Sequence, residues 1–217
     1  MVLISEKGDF TLPCFNRSGT SVALRVIHQQ LRNFLDQYHP LSDDEFSSLQ
    51  KILLPLTLKK KEFLLRQGET EKYIYFLGKG LIHQYFFKGK EMISTDFQPE
   101  NALTGGIVSF FSGEPSYYNL QAIEACSLLG LAKTDLERLY RANKKWEVVG
   151  RSLLTHYVLI QEKEIMDTIR LSMRERYVQF ARKYPDLLKK LPQRRIASYL
   201  NIKPETFSRL KPLLKNG

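Results

Sequence analysis

The segment from Leu191 to Lys211, LPQRRIASYLNIKPETFSRLK, admits few foldings. Ile196, Ala197 and Leu200 share one face of a helix that begins near Gln193. Asn201 stands where the chain must turn, and asparagine tolerates left-handed backbone better than most residues. Lys203-Pro204-Glu205 then opens a second helix. A proline suits a first helical position because the N–H it lacks would have had no partner there. Ile202, Phe207 and Leu210 supply the apolar side of this second element. The pattern is that of a helix-turn-helix, although a plain two-helix hairpin has the same spacing.

Charge separates the two readings. The 217-residue chain carries 33 basic and 23 acidic side chains, a formal net charge of +10. From Ile169 onward there are 13 Lys and Arg against 3 Asp and Glu, so the first 168 residues are balanced. A solvated surface needs no such asymmetry. A phosphate backbone rewards it through counterion release. Double-stranded DNA is therefore the expected partner. Arg194 and Arg195, at the start of the first helix, are expected phosphate contacts, with Ser198, Lys203 and Ser208 as weaker ones.

RRIASYLNIKPETFSRL resembles the recognition motif of the Crp/Fnr superfamily of bacterial transcription factors. In that family a Glu-Thr pair and an Arg four residues after the Glu face the DNA. The matching positions are Glu205, Thr206 and Arg209. Positions i and i+4 share a helix face. An Arg can grip guanine O6 and N7 together, and a Glu can accept from a cytosine amino group. The resemblance implies a homodimer on an inverted repeat, with RNA polymerase as a further partner. Pro212 is expected to end or kink the recognition helix. With the sequence stopping at Gly217, a β-hairpin wing is expected to be absent or rudimentary.

Composition adds bounds. The sequence is 43% hydrophobic and 12% aromatic, enough for real cores. Cys14 and Cys126 are expected to be reduced thiols. No apolar run approaches the ~20 residues that span a bilayer, and the N-terminus lacks the apolar core of a secretory signal. A cytoplasmic protein with no membrane contact is expected.

Residues 1–21 have no clear period and are left unassigned. A helical pattern covers Ser21 to Tyr38, and Ser42-Asp43-Asp44-Glu45 is a capping box opening another helix. Short aromatic and branched runs then predict strands near Leu56–Leu58, Phe63–Arg66, Tyr73–Leu77, Leu81–Phe87, Met92–Phe97 and Leu120–Ala132. Close spacing of short strands indicates a sandwich, barrel or roll. LLRQGETEKYIYFLGKG followed by KGKEMI is similar to the cyclic-nucleotide-binding β-roll of the same superfamily. The marks are Gly68-Glu69, Tyr75-Phe76-Leu77, Gly80 and Gly89-Lys90-Glu91.

The ligand signature departs from the family. Cyclic-AMP binders in it hold the ribose with a Gly-Glu and the phosphate with an Arg-Ser or Arg-Thr. Here no arginine lies between Gln67 and Lys133, and Gly105-Gly106 stands near the place of Gly-Glu. A buried phosphate without a cation is costly. Backbone N–H groups at Gly105, Gly106 or Gly113 offer a weak alternative for an anion. Ser116, Tyr117 and Tyr118 occupy the place of the phosphate signature. They are expected to pack the core, or to line a pocket for an uncharged effector. A cyclic-nucleotide regulator with altered contacts remains the alternative, as does a basic interaction module without an operator.

Thr134-Asp135-Leu136-Glu137 reads as a second capping box, for a helix ending near Ala142. The longest helical pattern follows, about Lys144 to Leu171. Trp146, Val149, Leu153, Tyr157 and Ile160 form one apolar stripe, and Leu154, Val158, Ile165 and Ile169 an adjacent one. The resemblance implies dimerisation through this helix, and Val149, Leu153, Tyr157 and Ile160 are the expected interface. His28, His39, His83 and His156 are dispersed without catalytic spacing. Two cysteines cannot supply a four-cysteine iron–sulfur site. Neither metal, cofactor nor enzymatic activity is expected.

The fold class expected is α+β: a jelly-roll-like N-terminal β-roll with flanking helices (22–142), a dimerisation helix (143–171) and an all-α helix-turn-helix domain (172–217).

Overall fold

The computed structural model describes residues 20–210. Cys14 and Pro212 lie outside that range. Two helices, α1 (Thr20–Asp36) and α2 (Asp43–Gln50), precede an eight-stranded roll. The capping box of α2 forms as expected, with Ser42 and Glu45 exchanging side-chain-to-backbone bonds.

The roll consists of β1 (Leu54–Leu58), β2 (Phe63–Leu65), β3 (Tyr73–Lys79), β4 (Leu81–Lys88), β5 (Glu91–Pro99), β6 (Ala102–Thr104), β7 (Asn119–Ala122) and β8 (Cys126–Ala132). Two antiparallel sheets form, in the orders β1-β8-β3-β6 and β2-β7-β4-β5. The run Leu120–Ala132 is two strands rather than one. It crosses from one sheet to the other through Ile123-Glu124-Ala125, where the Ile123 N–H bonds back to the Leu81 carbonyl. Both halves are buried, so hydropathy alone gave no break. A short helix, α3 (Ile107–Ser112), and strand β6 went unforeseen.

Alternation along each strand sends one set of side chains inward and the other outward. Leu64, Leu77, Ile82, Leu120 and Leu128 fill the space between the sheets. Phe76 and Leu129 point the other way, under α1, α2 and the start of a long helix. At Gly78, α1 approaches so closely that a Cβ would strike Ile27, and Gln30 donates to the Gly78 carbonyl (3.1 Å).

Helix α4 (Lys133–Ala142) begins one residue before the expected Thr134 cap, directly off β8, with no side-chain bond at its start. Helix α5 (Lys144–Arg170) follows, capped by Asn143. Four helices complete the described chain: α6 (Met173–Lys183), α7 (Pro185–Lys190), α8 (Gln193–Tyr199) and α9 (Pro204–Leu210). Their core, with Tyr177, Phe180, Ile196 and Phe207, continues onto Leu81 and Phe97 of the second sheet. This α+β arrangement is the one expected.

Candidate nucleic-acid interface and roll interior

Helix α6 opens on a capping box of Ser172 and Glu175 that the sequence reading overlooked, although the S-x-x-E signal was present. Asn201 takes the left-handed conformation (φ 52°). The Ile202 N–H closes the turn onto the Ala197 carbonyl (2.9 Å). Phe207, only 1% exposed, anchors α9 edge-on against Tyr177 (5.3 Å). With Phe207 fixed inward, Lys203, Glu205, Ser208 and Arg209 are exposed and Thr206 is half-buried. Helical spacing places Glu205 and Arg209 on one side.

Helix α8 differs from expectation. Arg194 is exposed, but Arg195 is half-buried, close enough to His83 and Tyr85 to act on their ionisation. The Ser198 hydroxyl accepts from the Ser94 N–H (3.0 Å) and donates to the Met92 carbonyl (3.3 Å). It is committed to β5 and is not presented to a phosphate in this arrangement.

Beneath α8 lies His83, with no exposed surface. Its ring stacks between Tyr85 and Phe97, both at 4.8 Å, and Nε2 meets the Ser94 hydroxyl (2.9 Å). Burial, with a contribution from Arg195, pushes its pKa down to about 3, so the ring is neutral. Asp96, on the neighbouring strand β5, accepts from the Phe97 N–H (2.8 Å). Burial, aided by Glu164, pushes its carboxyl up to about 6. Lys183 of α6 pairs with Glu164 of α5 (3.0 Å) nearby.

In the roll, Gly105 and Gly106 precede α3, but the Gly106 N–H is already used. It donates to Glu71 Oε2 (3.2 Å), and the N–H groups of Lys72 and Tyr73 donate to Oε1 (3.0 and 3.1 Å). The Glu71 carboxylate is buried, and desolvation raises its pKa despite these bonds. A Cβ on Gly106 would meet Leu65 Cδ2 at 2.5 Å, so the close approach needs glycine. Ser116 is buried, with its hydroxyl bonded to the Tyr118 carbonyl (2.9 Å). Tyr118 packs on the inner core, whereas Tyr117 is exposed. Of these five residues, Gly105 and Gly106 shape a tight turn, Ser116 and Tyr118 pack, and Tyr117 faces solvent. Glu71 was missed because a lone Glu in a polar loop carries no sequence signal of burial.

On α5 only the N-terminal part of the first apolar stripe enters the core. Val149, 3% exposed, and Leu153, half-buried, pack into the core under α1. Leu154, Val158, Ile165 and Ile169 are exposed, Ile169 by 73%, with Tyr157 and Ile160 beside them. Among the described residues no three His, Cys, Asp or Glu side chains gather as a metal site, and no helix is long and apolar enough to cross a membrane.

Residues 55–143 match the cyclic nucleotide-binding domain family. The sequence matches none of the curated proteins. Solved structures share the fold. FixK2 from Bradyrhizobium japonicum aligns with a TM-score of 0.62 at 19% identity, over 76% of this chain and 85% of its own. The Thermus thermophilus catabolite activator protein gives 0.53 at 18%, over 84% and 86%. The sensor domain of the transcriptional regulator DNR from Pseudomonas aeruginosa gives 0.51 at 20%, over 68% and 97%.

Proposed function

From a chain that carries a cyclic nucleotide-binding domain and has the fold of the Crp/Fnr transcription regulators, we propose a homodimeric regulator that reads an inverted-repeat operator. The observation that carries the reading is α9. Glu205, Ser208 and Arg209 stand exposed on its outer side over a buried Phe207, with Thr206 half-buried at the flank, in the segment that holds all the excess positive charge. Such a helix fits a major groove, and its neighbouring cations fit the phosphates. The exposed stripe of α5, Leu154, Val158, Ile165 and Ile169, is the dimer seam of this proposal. Two recognition helices then meet half-sites about 34 Å apart.

The effector is not cyclic AMP. No arginine lies between Gln67 and Lys133 to hold its phosphate, and the Gly106 N–H serves Glu71 instead. Any signal acts by shifting the population of head orientations. Selection of bound sequences from a random duplex pool tests the reading. An enriched palindrome is expected; salt-sensitive binding to every duplex alike would replace it with a diffuse electrostatic binder.

A further inference from the structure

Strand β5 is the outer strand of its sheet. The outward N–H of Ser94 and the outward carbonyl of Met92 would otherwise face water. One hydroxyl, that of Ser198, satisfies both. Around it, Tyr199 of α8 packs on Phe97 (5.5 Å) and on Phe180 (5.4 Å). Lys190 of α7 reaches Glu124, in the turn between β7 and β8 (3.2 Å). The contact therefore joins the helix pair to the roll at the strand edge, over an apolar floor and with an exposed ion pair beside it.

We propose that this contact is an autoinhibitory latch. Ser198 is its pin, and the docked state withholds α8 from nucleic acid. On α8, Ser198 is bonded to β5, Tyr199 packs on Phe97, and Arg195 is half-buried near Tyr85 of β4 instead of open to solvent. A duplex that approaches this face of α8 competes with the strand edge for it. Docked and released heads then form a two-state equilibrium, and duplex binds the released one. Releasing the pin favours DNA without touching α9. The inhibitory claim rests on the DNA-binding reading above; the latch itself does not.

The test combines amide hydrogen exchange with duplex binding on the full chain and on Ser198→Ala. The Ser94 amide reports the latch, and the amides of β3 control for folding. Ser198→Ala is expected to expose the Ser94 amide, leave β3 protected and tighten duplex binding about thirtyfold, the net worth of the two hydrogen bonds the hydroxyl makes. Unchanged Ser94 protection in the variant would overturn the latch, whatever happens with DNA. Faster exchange with equal or weaker duplex binding would overturn the inhibition. Faster exchange in a protein that binds no duplex, wild-type or variant, would uphold the latch as a docking contact and overturn the DNA reading.

Discussion

Glu71 and Gly106 are 35 positions apart, and the carboxylate of the first accepts the N–H of the second inside the roll (3.2 Å). A carboxyl group supplied by the chain sits where α3 begins. Two further N–H groups converge on it. Glu71→Ala is expected to strip all three of their acceptor and to cost about 2–3 kcal/mol, measured by urea unfolding. Calorimetry of the wild-type protein with cyclic AMP is expected to show no binding. Micromolar affinity would mean that phosphate is held by other groups.

His83 gives the fold an acid limit. Its folded pKa, about 3, lies below the usual 6.5. Between those values the unfolded chain binds the extra proton, so stability falls as pH drops from 6.5 toward 3 and is fully present above 6.5. His83→Phe keeps a flat ring between Tyr85 and Phe97 and removes the titration. Thermal unfolding from pH 7 to pH 5 is expected to show a shallower loss in the variant than in the wild type. Equal slopes would assign the acid sensitivity elsewhere.

Asp96 works in the opposite direction. Its folded pKa, about 6, lies above the usual 3.8. The folded chain holds the proton more tightly, so this group's contribution declines as pH rises from 3.8 to 6 and stays reduced above. Asp96→Asn keeps an acceptor for the Phe97 N–H and is expected to stabilise the protein at pH 7.5 by about 1–2 kcal/mol. The advantage should vanish near pH 4. A variant less stable at pH 7.5 would show the charge to be favourably paired.

The stripes of α5 predict distinct phenotypes. Val158→Glu combined with Ile165→Glu is expected to leave each subunit folded and to convert dimer to monomer in sedimentation velocity. Val149→Ala is expected to weaken the fold by about 2 kcal/mol through the cavity it opens, with association unchanged. Dissociation by the second and not the first would move the seam to the buried side.

Arg209→Ala is expected to cost about 1–3 kcal/mol of operator affinity and to relax preference at one base position. Competition among single-base operator variants reads the change. A uniform loss over all sequences would make Arg209 a phosphate contact.

The helix pair was legible because Asn201, Pro204 and the apolar spacing each serve a local need. Five of the six predicted strand runs were legible for the same reason, as β-branched and aromatic alternation is local. Which α5 residues pack inward was not legible, because both stripes are apolar. Only the position of α1 decides that Val149 is inside and Val158 outside. The division of Leu120–Ala132 was hidden by burial on both sides of the turn. Ser198 has ordinary helix chemistry, and its partners Met92 and Ser94 lie over 100 positions away. No pattern within α8 points to them.

The seat of α8 on β5 also bears on solubility. A released head leaves Ser94 and Met92 with open main-chain groups beside Phe97, on a strand that is not flanked on that side by another. Such a border is a template for pairing with a foreign strand. The same hydroxyl that holds the head therefore shields the sheet from cross-molecular growth, and a protein kept undocked without DNA is expected to precipitate sooner than one at rest.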